Sequence, residues 1–289
     1  MVDPPGQTSS ADDLEPAPET GSDVDRRLRS AQLFADVQLL REQVALSWAR
    51  EAEVLSRLGL TDGMDVLDLG CGPGFVTEEL LRAFPASRVV AVDLDAAMAS
   101  HTAARLGPDA PDRLTVLTSS AINLDLDDEC LDFALARLLF QHLASPELAV
   151  REVHRLLRPG GAFAIIDIDD AVGGIVDPPI PSLATFSTKV AQLQANRGGN
   201  RYVGRLLWRL LQQAGFESLA VTPILLHSDD LGIDPFLAQL HPNRYRQFIA
   251  AGGLTSQEWD TFREDFERFA AAPKRYIAHL LLVVSGRKG

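Results

Sequence analysis

The sequence predicts an α/β fold in which a largely parallel sheet carries helices on both faces. Three observations lead there. Short runs rich in valine and leucine recur, with helical spacing between them. The first run, Val66-Leu67-Asp68-Leu69, passes directly into a glycine turn, Gly70-Cys71-Gly72-Pro73-Gly74. The second, Arg88-Val89-Val90-Ala91-Val92, ends on Asp93. That acid stands about twenty residues past the glycine turn, the separation at which a second-strand acid reaches ribose hydroxyls.

Taken in order, residues 1–23 hold Pro4, Pro5, Pro16 and Pro18 among acids and small polar residues. Such a composition buries too little apolar surface to order itself, so a disordered tail is expected, with Ser22 or Asp23 capping the helix that follows. Residues 24–60 read as a helical arm, two helices or one bent one, with Leu28, Leu33, Phe34, Val37, Leu40, Val44, Leu46, Trp48, Val54 and Leu58 at helical spacing. The arm either covers an edge of the core or closes over a ligand with Gln38, Arg41, Gln43 and Trp48. A domain is expected from residue 61 to 289. Its strands are placed at 65–69, 88–94, 114–117, 131–136, 162–168 and 219–227. Its helices are placed at 75–84, 96–106, 146–157 and 203–214. Arg158-Pro159-Gly160-Gly161 reads as a turn. Two insertions, about 171–203 and 229–272, break the alternation. The first holds a helix near 183–194, and the second is mostly helical, with Thr255 or Ser256 and Glu258 marking a helix start. A strongly apolar strand, 274–285, closes the chain.

Composition narrows the function. The net charge of −13 disfavours nucleic-acid phosphates as partners. The two cysteines, Cys71 and Cys130, build neither a disulfide framework nor a metal cluster. Without a signal-peptide pattern or an apolar run of ~20 residues, a cytoplasmic protein with no membrane partner is expected.

The glycine turn is not a dinucleotide fingerprint, because the last glycine of G-x-G-x-x-G would fall on Phe75. No Gly-Lys-Ser/Thr follows, so it is not a P-loop either. The pattern is D-x-G-x-G-x-G. Asp68 suits a cation, the turn and the next helix start suit an anion, and Asp93 suits ribose. S-adenosylmethionine carries all three groups.

Asp68 to Gly74, Val89 to Asp93 and Leu157-Arg158-Pro159-Gly160-Gly161 together resemble the class I S-adenosylmethionine-dependent methyltransferases. The resemblance is to the bacterial small-molecule, ubiquinone-biosynthesis-like branch and covers roughly residues 60–170. It implies a Rossmann-like, doubly wound, seven-stranded sheet whose last strand lies antiparallel between the fifth and sixth, with the two insertions forming a cap. It also implies cofactor contacts at Asp68, Gly70, Cys71, Gly72, Gly74, Asp93, Leu94, Ser120, Ala121 and Arg137. Ser120 departs from the family, which usually has an acid there to hold the adenine amino group. Arg137 stands where catechol-type members hold magnesium with acids, so no metal is expected. Substrate contacts are expected at Gln38, Gln141, Asp169, Tyr202 and His227. His142, at the exit of the fourth strand, is the candidate general base, against a competing reading as a structural histidine at a helix start. The expected activity is methyl transfer to a small molecule, an aromatic or bulky secondary metabolite. A protein or RNA methyltransferase and a non-catalytic cofactor binder are the alternatives. The acceptor atom and the oligomeric state stay open.

Overall fold

A computed structural model describes residues 21–245, 249 and 252–289, with side chains from residue 37 onward. Two compact units divide the chain, residues 1–38 and 39–289. Residues 1–20 of the expected tail lie outside the described residues. Ser22 and Asp23 stand inside the first turn of α1 (Gly21–Arg57), where a cap was expected. The arm is one continuous helix of 37 residues. In the second unit α1 buries Val44, Ser47, Trp48, Glu51, Val54 and Leu55, a stripe at intervals of three and four. A glutamate on that stripe, Glu51, is out of character.

The parallel strands are β1 (Asp65–Leu69), β2 (Arg88–Asp93), β3 (Leu114–Thr118), β4 (Leu131–Arg137) and β5 (Leu157–Asp167). Between them run α2 (Phe75–Ala83), α3 (Ala96–Leu106) and α4 (Pro146–Leu156). The first insertion holds β6 (Gly174–Asp177) and α5 (Leu183–Ala195), followed by α6 (Gly204–Gln213) and β7 (Phe216–His227). The second holds α7 (Ser228–Leu231), α8 (Asp234–Leu240) and α9 (Ser256–Ala271), and β8 (Tyr276–Lys288) ends the chain.

Strand order is β3-β2-β1-β4-β5-β8-β6, with β7 also paired to β8. β8 runs antiparallel to β5 on one edge and to β7 on the other, as expected. Chain order reverses between β1 and β4, and ligands bind at the carboxyl ends of strands at such a reversal. The eighth strand is an addition to the expected seven. β6 is flanked by glycine and proline, and its backbone bonds come from β8, Gly174 opposite His279 through Asp177 opposite Tyr276. Arg158–Gly161 is a second difference. These residues form the bulged start of β5, where the pairing with β4 slips between Leu131 and Phe133.

The sheet core is Leu67, Leu69, Phe133 to Ala136 and Phe163 to Ile166, roofed by Val150, Val153, Leu207 and Leu211. A smaller core joins α5 to α9. Phe186 stacks on Phe262 at 4.0 Å, and the Tyr245 ring meets Phe186 edge-on. Thr255 closes a capping box with Glu258 at the start of α9.

Candidate active site

Three glycines shape the turn after β1, and they do different things. The N–H groups of Gly70 and Cys71 both donate to the Val92 carbonyl, at 2.8 and 2.9 Å, tying the turn to β2. All three have positive φ: 78°, 53° and 80° at Gly70, Gly72 and Gly74. A Cβ on Gly70 would sit 2.8 Å from Leu139, and one on Gly74 would sit 2.6 Å from Thr102. A Cβ on Gly72 would meet nothing within 4 Å. The outer glycines therefore let helices and loops close in, while the middle one faces open space.

Asp93 is aimed across that space. Its Oδ2 accepts from the Gly72 N–H at 2.8 Å and its Oδ1 from the Asp95 N–H at 2.9 Å. Leu94 follows with 74% of its surface exposed. The Ser119 N–H donates to the Asp93 carbonyl, which sets the turn after β3 alongside. In that turn Ser120 pairs with Asn123, and Ser120 and Ala121 are half-buried. Ile122, which the sequence reading passed over, is 42% exposed. In the sequence it is one of several aliphatic residues, Ala121, Ile122, Leu124 and Leu126, so nothing local marks it. Leu94 and Ile122 are apolar surface left in solvent at two neighbouring strand ends.

Asp68 and Arg137 are not open to the site as expected. Asp68 is buried and accepts from the Thr77 hydroxyl at 2.6 Å; burial pushes its carboxyl up to about 6. Arg137 turns to α1. Its Nε meets both oxygens of Glu51, at 3.0 and 2.9 Å. Its Nη2 donates to Ser47 Oγ at 2.9 Å and to the Gln43 carbonyl at 3.3 Å. The reason is electrostatic: a buried glutamate on α1 demands a cation, and the exit of β4 supplies it. Glu51 was legible only as an acid on a buried stripe.

The exits of β4 and β5 form a second cluster. Leu138 takes φ 53° and leads into a single turn, Phe140–His142. Gln141 is buried and acts as a joint. Its N–H donates to Asp167 Oδ2 at 3.1 Å, and its carbonyl accepts from Asn200 N and Gln194 Nε2, both at 2.7 Å. Burial pushes the Asp167 carboxyl up to about 6. His142, exposed, stands beside Arg201. Desolvation first, and the Arg201 charge second, hold its pKa below the ordinary histidine value. Arg201 is committed to Asp170, at 2.5 and 3.1 Å. Asp169 is not a free acid. Arg205 grips it with Nε and Nη2 at 2.6 Å each, overcoming the upward push of burial and leaving its pKa lowered. The Arg205 guanidinium lies 5.5 Å from the Tyr202 ring.

His227 stands at the end of β7. It pairs with Asp230 at 3.0 Å, and Asp230 also takes Arg50 of α1 at 2.7 Å. Gln38 is exposed on α1, within the first unit. A cleft of about 410 Å³ lies between α1 (Glu42, Ala45, Leu46) and the α7–α8 segment (Leu231, Asp234, Pro235, Ala238). A groove of about 560 Å³ near Arg57, Ala83 and Phe84 lies at the far end of α2 from the glycine turn.

Residues 67–165 match the family described as a methyltransferase domain. A 37.1 kDa protein of transposon TN4556 from Streptomyces fradiae is 30% identical over 253 residues, 86% of this chain and 69% of that protein. A ubiquinone/menaquinone biosynthesis C-methyltransferase from Syntrophotalea carbinolica is 31% identical over 110 residues, 38% of this chain and 46% of that enzyme. The chain thus spans less than half the length of this second relative. The geranyl diphosphate C-methyltransferase of Streptomyces coelicolor A3(2) superposes with a TM-score of 0.56 at 18% identity, over 87% of this chain and 82% of that one. At that identity the likeness concerns the fold alone.

Proposed function

The chain belongs to the class I S-adenosylmethionine-dependent methyltransferases, in their bacterial small-molecule branch, and we propose that it methylates a bulky, apolar small molecule of secondary metabolism by in-line displacement without a metal. S-adenosylmethionine is its cofactor. One observation carries the reading: Asp93 is drawn onto the N–H of Gly72, the one glycine of the turn with open space before it. The residues present fit the cofactor. Asp93 offers acceptors to ribose hydroxyls, Gly72 leaves room for close approach, and exposed Leu94 and Ile122 offer apolar cover to adenine, with Ser120 and Ala121 beside them.

Bound S-adenosylmethionine supplies an electrophilic methyl group on a sulfonium. The protein's part is mostly alignment. Gln141, bonded to Asp167, Asn200 and Gln194, holds the turn that carries His142 in place. His142 takes the acceptor proton where the nucleophile must lose one. Its depressed pKa keeps the ring neutral and able to accept at pH 7. The β4 exit carries Arg137, paired with Glu51, in place of an acid that could hold a metal, which supports a mechanism without one there. The cleft, in which Glu42 and Asp234 stand among the apolar Ala45, Leu46, Leu231, Pro235 and Ala238, supports a largely apolar acceptor. The charge of −13 weighs against RNA.

The test is calorimetric titration with S-adenosylhomocysteine, with NAD as control, on the wild type and Asp93→Ala. Micromolar binding of the first ligand alone, weakened roughly tenfold or more in the variant by loss of hydrogen bonds, is the expected result. Equal affinity in both proteins would remove Asp93 from the ribose site. Methyl transfer to a panel of aromatic and polycyclic acceptors then tests the substrate class, and turnover confined to peptide or RNA acceptors would overturn it.

A further inference from the structure

We propose that Arg41 of α1, in the second unit, anchors the carboxylate at the amino-acid end of the cofactor. The inference rests on the cofactor reading above. Around the glycine turn and the strand exits, arginines are spent on acids: Arg137 on Glu51, Arg201 on Asp170, Arg205 on Asp169 and Arg105 on Glu78. Arg41 differs. Its guanidinium lies 4.6 Å from the centroid of the Phe75 ring. Among the described residues it has no carboxylate or carbonyl partner. Phe75 is the first residue of α2, directly after Gly74. Arg105 also lies over that ring, at 4.8 Å, yet its donors go to Glu78 and to the carbonyls of Pro73 and Gly74.

An exposed cation with no anion among the described residues, beside a glycine turn, is uneconomical in a chain with 40 acids and 27 basic residues. The ring contact holds the guanidinium in place while leaving its N–H donors free. Those donors suit a carboxylate, which a guanidinium grips with two parallel bonds. The cofactor carries one anionic group, that carboxylate. With ribose on Asp93, the amino-acid end is the part left to meet α1. The position of Arg41 is not loose. Two residues on, the Gln43 carbonyl begins the ladder of Gln43, Ser47 and Glu51 that Arg137 grips on successive turns of α1. The ion pair at the β4 exit thereby sets the register that carries Arg41 to the turn.

The experiment compares two ligands that differ only in the carboxylate: S-adenosylmethionine and decarboxylated S-adenosylmethionine. Calorimetry is run on full-length wild type, Arg41→Ala and Arg41→Lys. Arg41 is exposed, so both variants should melt with the wild type, which thermal unfolding checks. The expected result is that wild type favours S-adenosylmethionine about ten- to a hundredfold, the range of a charge-assisted pair. Arg41→Ala should lose that preference while binding the decarboxylated ligand within about twofold of wild type, and Arg41→Lys should recover part of it. Equal losses for both ligands in Arg41→Ala, or no loss for either, would overturn the assignment. Wild type that binds neither ligand would overturn the cofactor reading itself, a distinguishable failure.

Discussion

Glu51→Ala is the perturbation that tests the architecture most sharply. The Glu51 side chain is fully buried and that of Arg137 is 8% exposed, so water cannot replace the missing partner. The variant removes both carboxylate contacts of Arg137 Nε and leaves the guanidinium with only Ser47 Oγ and the Gln43 carbonyl. Breaking a buried pair by deleting one partner costs roughly 3–5 kcal/mol. At about 2–4 °C of Tm per kcal/mol in a protein of this size, thermal unfolding followed by circular dichroism should show a fall of roughly 10 °C. The double variant Glu51→Leu with Arg137→Met fills similar volume without charge and should recover most of that loss, because such replacements are often neutral. A Glu51→Ala midpoint within about 2 °C of wild type, which is less than 1 kcal/mol, would refute the reasoning. It would mean that α1 is not held by this pair.

Further outcomes follow from the same geometry. Gly72→Ala should cost only about 1–2 kcal/mol of stability, the strain of a side chain at positive φ, yet weaken S-adenosylhomocysteine binding in calorimetry by more than that strain explains. Unchanged affinity would show that the open face is not used. His142→Ala should leave cofactor binding intact and cut turnover at pH 7. In wild type, turnover should fall on acidification only below the ordinary histidine pKa, since the folded ring resists protonation. Full activity in the variant would make the histidine structural. Asp68 and Asp167 both have pKa values raised from 3.8 to about 6 by burial. Between those values the folded protein holds protons that the unfolded chain releases, so these groups make stability decline as pH rises from about 4 to about 6. Urea unfolding across that window should show a shallower decline in Asp167→Asn, and an identical slope would contradict the assignment.

The parts of this protein legible in its sequence are those whose signals are local. β1 and α3 stand at the residues expected, 65–69 and 96–106. β1 is a short run of buried residues stopped by a glycine, and α3 begins where the Asp95 side chain accepts from the Ala97 N–H at 2.8 Å. The glycine turn and Asp93 were legible because their chemistry is written in residue type and spacing. β6 was not, because its hydrogen bonds are supplied by β8, about a hundred residues later, where a local pattern carries no trace.

The same division runs through the site. Glycine conformation and apolar periodicity act over a few residues, so the sheet with its flanking helices, the acid at the β2 exit and the family of the cofactor turn could be read from the residues alone. Which charges are already paired could be read only from the folded chain. Arg137 and Asp169 look alike in the sequence, as charged residues at strand exits, yet one is spent on Glu51 and the other on Arg205. Arg41, one of several arm residues the sequence offered as ligand contacts, is singled out only by its place over Phe75, with no carboxylate or carbonyl partner among the described residues. Pairing among charges is a contest between residues that the chain brings together from far apart, and burial sharpens it because an unpaired charge away from water is so costly.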